Sequence, residues 1–162
     1  EHGRFLVMSG EAAPGGTHGC QIWINLQIYW RTGDKPHRIT PDDATILKHS
    51  PRHLAVRIRT TRLFIDLICM HGPYAGDPKA PPNEFWDKMA STVNAFSECS
   101  PSAICFIDAN SNFRSAKAQD ILHRGHFAQF LEATSLCEAT CADSGARHVT
   151  YRSNTCTGGP SD

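Results

Sequence analysis

Three polar residues stand where apolar runs end, and their types fit one chemistry. His71 closes the run Arg62 to His71 (RLFIDLICMH), and Asp108 with Asn110 forms a D-x-N at the end of Ala103 to Asp108 (AICFID). A carboxylate placed there holds or activates a water, directly or through a divalent cation. An amide both donates and accepts a hydrogen bond, which suits orienting a water or a phosphate oxygen. An imidazole moves a proton near neutral pH or donates to a phosphate oxygen. Together they point to metal-assisted phosphoester hydrolysis, with Asp108 as the metal ligand. Hard oxygen donors favour Mg²⁺ or Mn²⁺ over zinc. Taken singly, each has a plainer role, because an Asp or Asn after a strand commonly forms a turn or caps a helix.

Bringing these residues together requires particular elements. Arg52 to Thr60 (RHLAVRIRT) alternates, with Leu54, Val56 and Ile58 on one face, and reads as one strand of an antiparallel hairpin. The second strand, Arg62 to His71, is largely apolar and therefore central. Residues 72–102 then hold a Gly/Pro-rich loop and a helix from Asn83 to Cys99. Trp86, Met89, Val93 and Phe96 make its apolar stripe, and Asn83 suits its N-cap. A connection of that size makes the strands ending at His71 and Asp108 parallel neighbours. Parallel strands so joined end at one rim, where ligand sites of open α/β sheets lie. Phe5 to Ser9, Cys20 to Ile28, Ala44 to His49 and Val149 to Arg152 read as further strands, Arg31 to Asp43 as a loop, and Gln119 to Leu136 as a second helix with Leu122, Phe127, Phe130 and Leu131 as its apolar points. The order predicts a layered α/β (α+β) domain with a mixed sheet.

The 162 residues fit one domain, and 40% hydrophobic residues are enough for a core. Lys+Arg 16 against Asp+Glu 16 gives no net charge. That excludes a generally basic nucleic-acid coat and leaves contact through one small site. Arg57, Arg59, Arg62, Arg114 and Lys117 are candidates for local phosphate contacts, although alternating Arg57 and Arg59 read more simply as a solvated face. Asp66 interrupts Leu63 to Met70, the best candidate for a membrane span, and that run is too short. No membrane and no obligate protein partner are implied. Of the seven cysteines, Cys69 and Cys105 lie in apolar runs and read as small hydrophobes. Cys137, Cys141, His148 and Cys156 have spacings that match no common structural zinc site. Reduced thiols of a cytosolic or nuclear protein are the expectation. The span from Glu1 to Asp162 reads as an excerpt of a longer chain.

The ordered set of motifs resembles the endonuclease/exonuclease/phosphatase superfamily, which includes DNase-I-like and apurinic-endonuclease-like enzymes. It consists of Met70-His71-Gly72-Pro73-Tyr74, Phe85-Trp86-Asp87-Lys88-Met89, Phe106-Ile107-Asp108-Ala109-Asn110, and the flanking Gly19-Cys20-Gln21-Ile22-Trp23-Ile24 and His148-Val149-Thr150-Tyr151-Arg152-Ser153. The wording is similar to endonuclease domains of non-LTR retrotransposons. The resemblance implies a DNase-I-like β-sandwich of mixed sheets flanked by helices, here one partial domain over 1–162 lacking terminal strands. It implies a divalent-metal-dependent phosphodiester hydrolase acting on DNA, intracellular, and nuclear where the retrotransposon likeness holds. His71 would contact the scissile phosphate and support proton transfer, Asp108 would help activate water, Asn110 would orient that water or the phosphate, and Thr150 would line the nucleic-acid face; Arg114, just past the D-x-N loop, is a substrate contact candidate by position alone. The same fold also serves phospholipid and inositol phosphate head groups, so fold does not choose substrate. Two departures bear on turnover. Ile107 stands where the superfamily has Gly before its Asp, and a bulky side chain there is expected to crowd the turn. The upstream metal-binding Glu and closing S-D-H have no assigned counterparts; Ser161-Asp162 follows Asn110 too closely. A catalytically inactive, decayed or truncated binding module of the same fold is therefore the alternative expectation.

Overall fold

The structure, a computed structural model, describes residues 4–14, 19–32, 35–97, 102–111 and 114–136. Alternation builds the first layer. Strand β1 (Phe5–Ser9) pairs antiparallel with β2 (Gln21–Asn25), Leu6 opposite Ile24 and Met8 opposite Ile22. Ile22 and Ile24 are buried while Gln21 and Trp23 face out. The alternating pattern runs on to Ile28, but the strand stops at Asn25. The Asn25 side-chain oxygen accepts the Gln27 backbone N–H at 2.9 Å, an Asx turn that bends the chain away and leaves Ile28 exposed. The expected loop at 31–43 holds a short hairpin, β3 (Trp30–Thr32) with β4 (Lys35–His37). A single 3-10 turn, Pro41–Asp43, follows, with the Asp43 carboxylate accepting from the Thr40 N–H and O–H.

The second layer is a four-stranded sheet: β5 (Ala44–Ser50), β6 (His53–Arg59), β7 (Phe64–His71) and β8 (Ala103–Asp108), in that spatial order. All neighbours are antiparallel except β7 and β8, which run parallel. Helix α1 (Pro82–Ser97) makes the crossover, and α2 (Ala118–Ala133) follows β8. Helix α1 begins one residue before the expected cap, with Pro82 in its first turn, where a missing N–H costs no helix hydrogen bond.

Each face of the sheet has its own core. Leu54, Val56 and Ile58 of β6 pack with Ile22 and Ile24, so the β1–β2 pair lies across β6 and β7 as a sandwich. On the other face Ala55, Ile68 and Met70 pack with Trp86, Met89 and Val93 of α1 and Phe130 of α2. Leu122, expected in this stripe, is exposed. His123 takes the inward position, four and seven residues before Phe127 and Phe130. Gly125 stays helical, in open space. Arg57, expected to be solvated or to meet phosphate, instead reaches across the pair to Asp66. Its Nε donates at 2.8 Å and its Nη2 at 2.9 Å to a fully buried carboxylate. Arg59 is exposed and lies over the Phe64 ring. Cys20, Cys69 and Cys105 are free thiols. The expected strand Val149 to Arg152 and the cluster Cys137, Cys141, His148 and Cys156 lie outside the described residues.

Candidate active site

Parallel pairing sets the geometry of the rim. In the β7–β8 register His71 is the partner of Asp108, and partners in a sheet share a face. That face is the one carrying Leu67 and Cys69, toward the β1–β2 layer. The ladder continues past the strand end, with the Gly72 N–H donating to the Asp108 carbonyl at 2.7 Å. Glycine at 72 is dictated by space: an added Cβ would stand 2.7 Å from the Trp86 ring and 2.9 Å from the Ala109 carbonyl oxygen. Trp86, 1% exposed, thus braces the turn after His71 from below, while Phe85, Phe127 and Phe130 hold its indole.

The three sequence candidates at the rim come together. His71 Nε2 is 3.8 Å from Asp108 Oδ2, and both side chains are partly exposed. The Asn110 amide Nδ2 donates to the Gly72 carbonyl at 2.8 Å and sits 3.2 Å from His71 Nε2. The Asp108 Oδ1 accepts the Asn110 N–H at 3.1 Å, closing an Asx turn. That turn puts Asn110 at φ 48°, in the left-handed region that Asn tolerates better than most residues. One carboxylate oxygen therefore shapes the loop while the other faces the imidazole. Ile107 does not crowd this turn. It belongs to the opposite face of β8 and packs with the helix-side core.

Arg52, which sequence reasoning passed over, is a fourth member. Its Nη2 donates to Asp77 Oδ2 at 2.7 Å, its Nη1 donates to the Gly72 carbonyl at 3.2 Å, and Nη1 lies 3.4 Å from His71 Nδ1. The guanidinium ties the 72–77 loop to the end of β7 and backs the imidazole on the side away from Asp108. Its position at the β5–β6 turn carries no motif, and only the pairing of β6 with β7 reveals it. Arg114 is exposed on the turn leading into α2, and Thr150 lies outside the described residues. No group of three or more His, Cys, Asp or Glu comes together among the described residues. Asp108 is the rim carboxylate that could hold a divalent cation, since hard cations take oxygen donors.

The fold is similar to that of a solved structure, the endonuclease domain of TRAS1, a telomere-specific non-LTR retrotransposon, with a TM-score of 0.52 and 16% identity. The fold is endonuclease-like. The match covers 78% of this chain and 52% of the TRAS1 domain, so the chain spans about half the length of that structure. At that identity the likeness carries the fold. The DNase-I-like arrangement of mixed sheet, sandwich layer and flanking helices stands, as the motif order implied. No protein-family profile matches the chain, and no curated protein matches it. No helix among the described residues is long and apolar enough to cross a membrane.

Proposed function

We propose that the chain carries part of the catalytic rim of a divalent-metal-dependent DNA endonuclease. The observation that supports this most is the facing of His71 and Asp108 as cross-strand partners at the carboxyl rim, with Asn110 against the same imidazole. A scissile phosphate set at the rim would meet a hydrogen-bond donor from His71 and a carboxylate from Asp108. Asp108 would orient the attacking water and draw off its proton. His71 would donate to a phosphate oxygen. Asn110 and Arg52 would keep the imidazole from rotating away, one from each side. A bound Mg²⁺ or Mn²⁺, held by Asp108, would supply charge neutralisation of the phosphate. Arg114 and Thr150 are proposed substrate contacts.

The test is nicking of supercoiled plasmid with Mg²⁺ by the longest reading frame that contains this chain. His71→Ala and Asp108→Ala are each expected to slow nicking by about 10²–10⁴-fold, the range for losing one acid–base or water-orienting group. Equal nicking by wild type and Asp108→Ala overturns the reading. A wild type that binds DNA and never cuts it favours a binding module of the same fold.

A further inference from the structure

On the helix side of the sheet, away from the face that carries His71 and Asp108, lies a pocket of about 560 Å³ between the β5–β6 turn and the first half of α1. Arg52, Lys79 and Lys88 stand in its wall, and Phe85 and Met89 form an apolar floor. No carboxylate lines it among the described residues. Asp77, beside Arg52, accepts from its guanidinium at 2.7 Å. His53 also lines the pocket and is 3% exposed. Its Nδ1 is 2.5 Å from the Ser50 hydroxyl oxygen, and its buried Nε2 has no hydrogen-bond partner among the described residues. Buried polar atoms are nearly always satisfied, so an orphan nitrogen beside a cationic, carboxylate-free wall needs an explanation.

We propose that this pocket is an anion site that takes a phosphate group of the nucleic-acid strand. Lys79 and Lys88 supply compact positive charges suited to a phosphate. In this proposal the Ser50 O–H donates to His53 Nδ1, so that an anion in the pocket selects the tautomer with its proton on Nε2 and the orphan becomes a third donor. The apolar floor lowers the local dielectric and strengthens each of these contacts. Arg52 joins the two places: its guanidinium reaches the His71 rim and its side chain also lines the pocket, so a strand lying over the turn after β7 meets both. That the phosphate belongs to a strand rests on the endonuclease reading; the pocket itself does not.

The experiment is a heteronuclear NMR titration of the chain with inorganic phosphate and, separately, with a short DNA duplex. Both probes are expected to shift the His53 ring and the Lys88 amide. A Lys79→Ala/Lys88→Ala double variant, both side chains exposed and outside the core, is expected to weaken both by about tenfold or more, the loss of charge-assisted hydrogen bonds. Asp108→Ala is expected to leave phosphate binding unchanged. Phosphate binding without any duplex effect overturns the strand assignment. No shift at His53 and Lys88 with either probe overturns the site. Binding here with no plasmid nicking by the longest reading frame supports the pocket and removes the endonuclease reading instead.

Discussion

Asn110 meets two demands at once, a left-handed backbone and an amide aimed at both Gly72 and His71. The two separate by substitution. Asn110→Ala and Asn110→Gly both lose the amide, so both are expected to nick plasmid about 10²-fold more slowly. Only Ala keeps the strain at φ 48°, so Gly is expected to be the more stable by about 1 kcal/mol in urea unfolding. Equal stability of the two would place the demand elsewhere. His53 gives a pH dependence of known sign. Burial, with Lys48, Lys88 and His49 adding like charge, pushes its pKa down from 6.5 to about 4. Between those values the unfolded chain holds a proton that the folded chain lacks. Stability attributable to His53 is therefore full above pH 6.5 and is lost as the pH falls toward 4, by up to about 3 kcal/mol. Buried His123, also pushed down by burial, adds in the same direction. Urea midpoints measured across that window should fall, and should fall less for His53→Gln.

The Arg57–Asp66 pair ties β6 to β7 on the helix side, far from the rim, and its role is packing. Asp66 is fully buried, so Arg57→Ala leaves an uncompensated charge and is expected to cost about 3–5 kcal/mol. Replacing both, as Arg57→Met with Asp66→Leu, should recover most of that loss, since an apolar pair avoids the desolvation of two ions. A double variant as unstable as Arg57→Ala would show that the pair specifies register as well. This pair also marks the limit of what alternation discloses. Period-two patterning placed Leu54, Val56 and Ile58 inward correctly. It put Arg57 in solvent because it carries no record of the Asp66 directly opposite. His71, Asp108 and Asn110 were legible because each ends an apolar run and the crossover length makes those runs parallel. Arg52 and Asp77 were not, since both sit in turns whose meeting depends on three-dimensional closure. The same holds for His123, whose inward turn follows from the phase set by Phe127 and Phe130 more than from its own polarity.

At the scale of the whole molecule, zero net charge and local positive charge make different claims about DNA. A protein that neutralises phosphates releases counterions, and log K falls against log salt with a slope of about −0.9 per phosphate on duplex DNA. A uniformly basic protein gives a steep slope from many weak contacts. Here the proposed contacts are few: Lys79 and Lys88 beside the helix-side pocket, and Arg114 on the turn before α2. The expected slope is therefore shallow, about −2, with Lys79 and Lys88 sharing one phosphate and Arg114 meeting a second. Removing Lys79 and Lys88 together should bring it to about −1, while Arg57→Met with Asp66→Leu should leave it unchanged because Arg57 is committed to Asp66. Fluorescence anisotropy of a labelled duplex across a salt series reads these slopes directly, with metal withheld so that no strand is cut. A slope that ignores the lysine pair would move the strand off the pocket. A steep slope in the wild type would mean that charges well beyond the pocket and Arg114 meet the DNA.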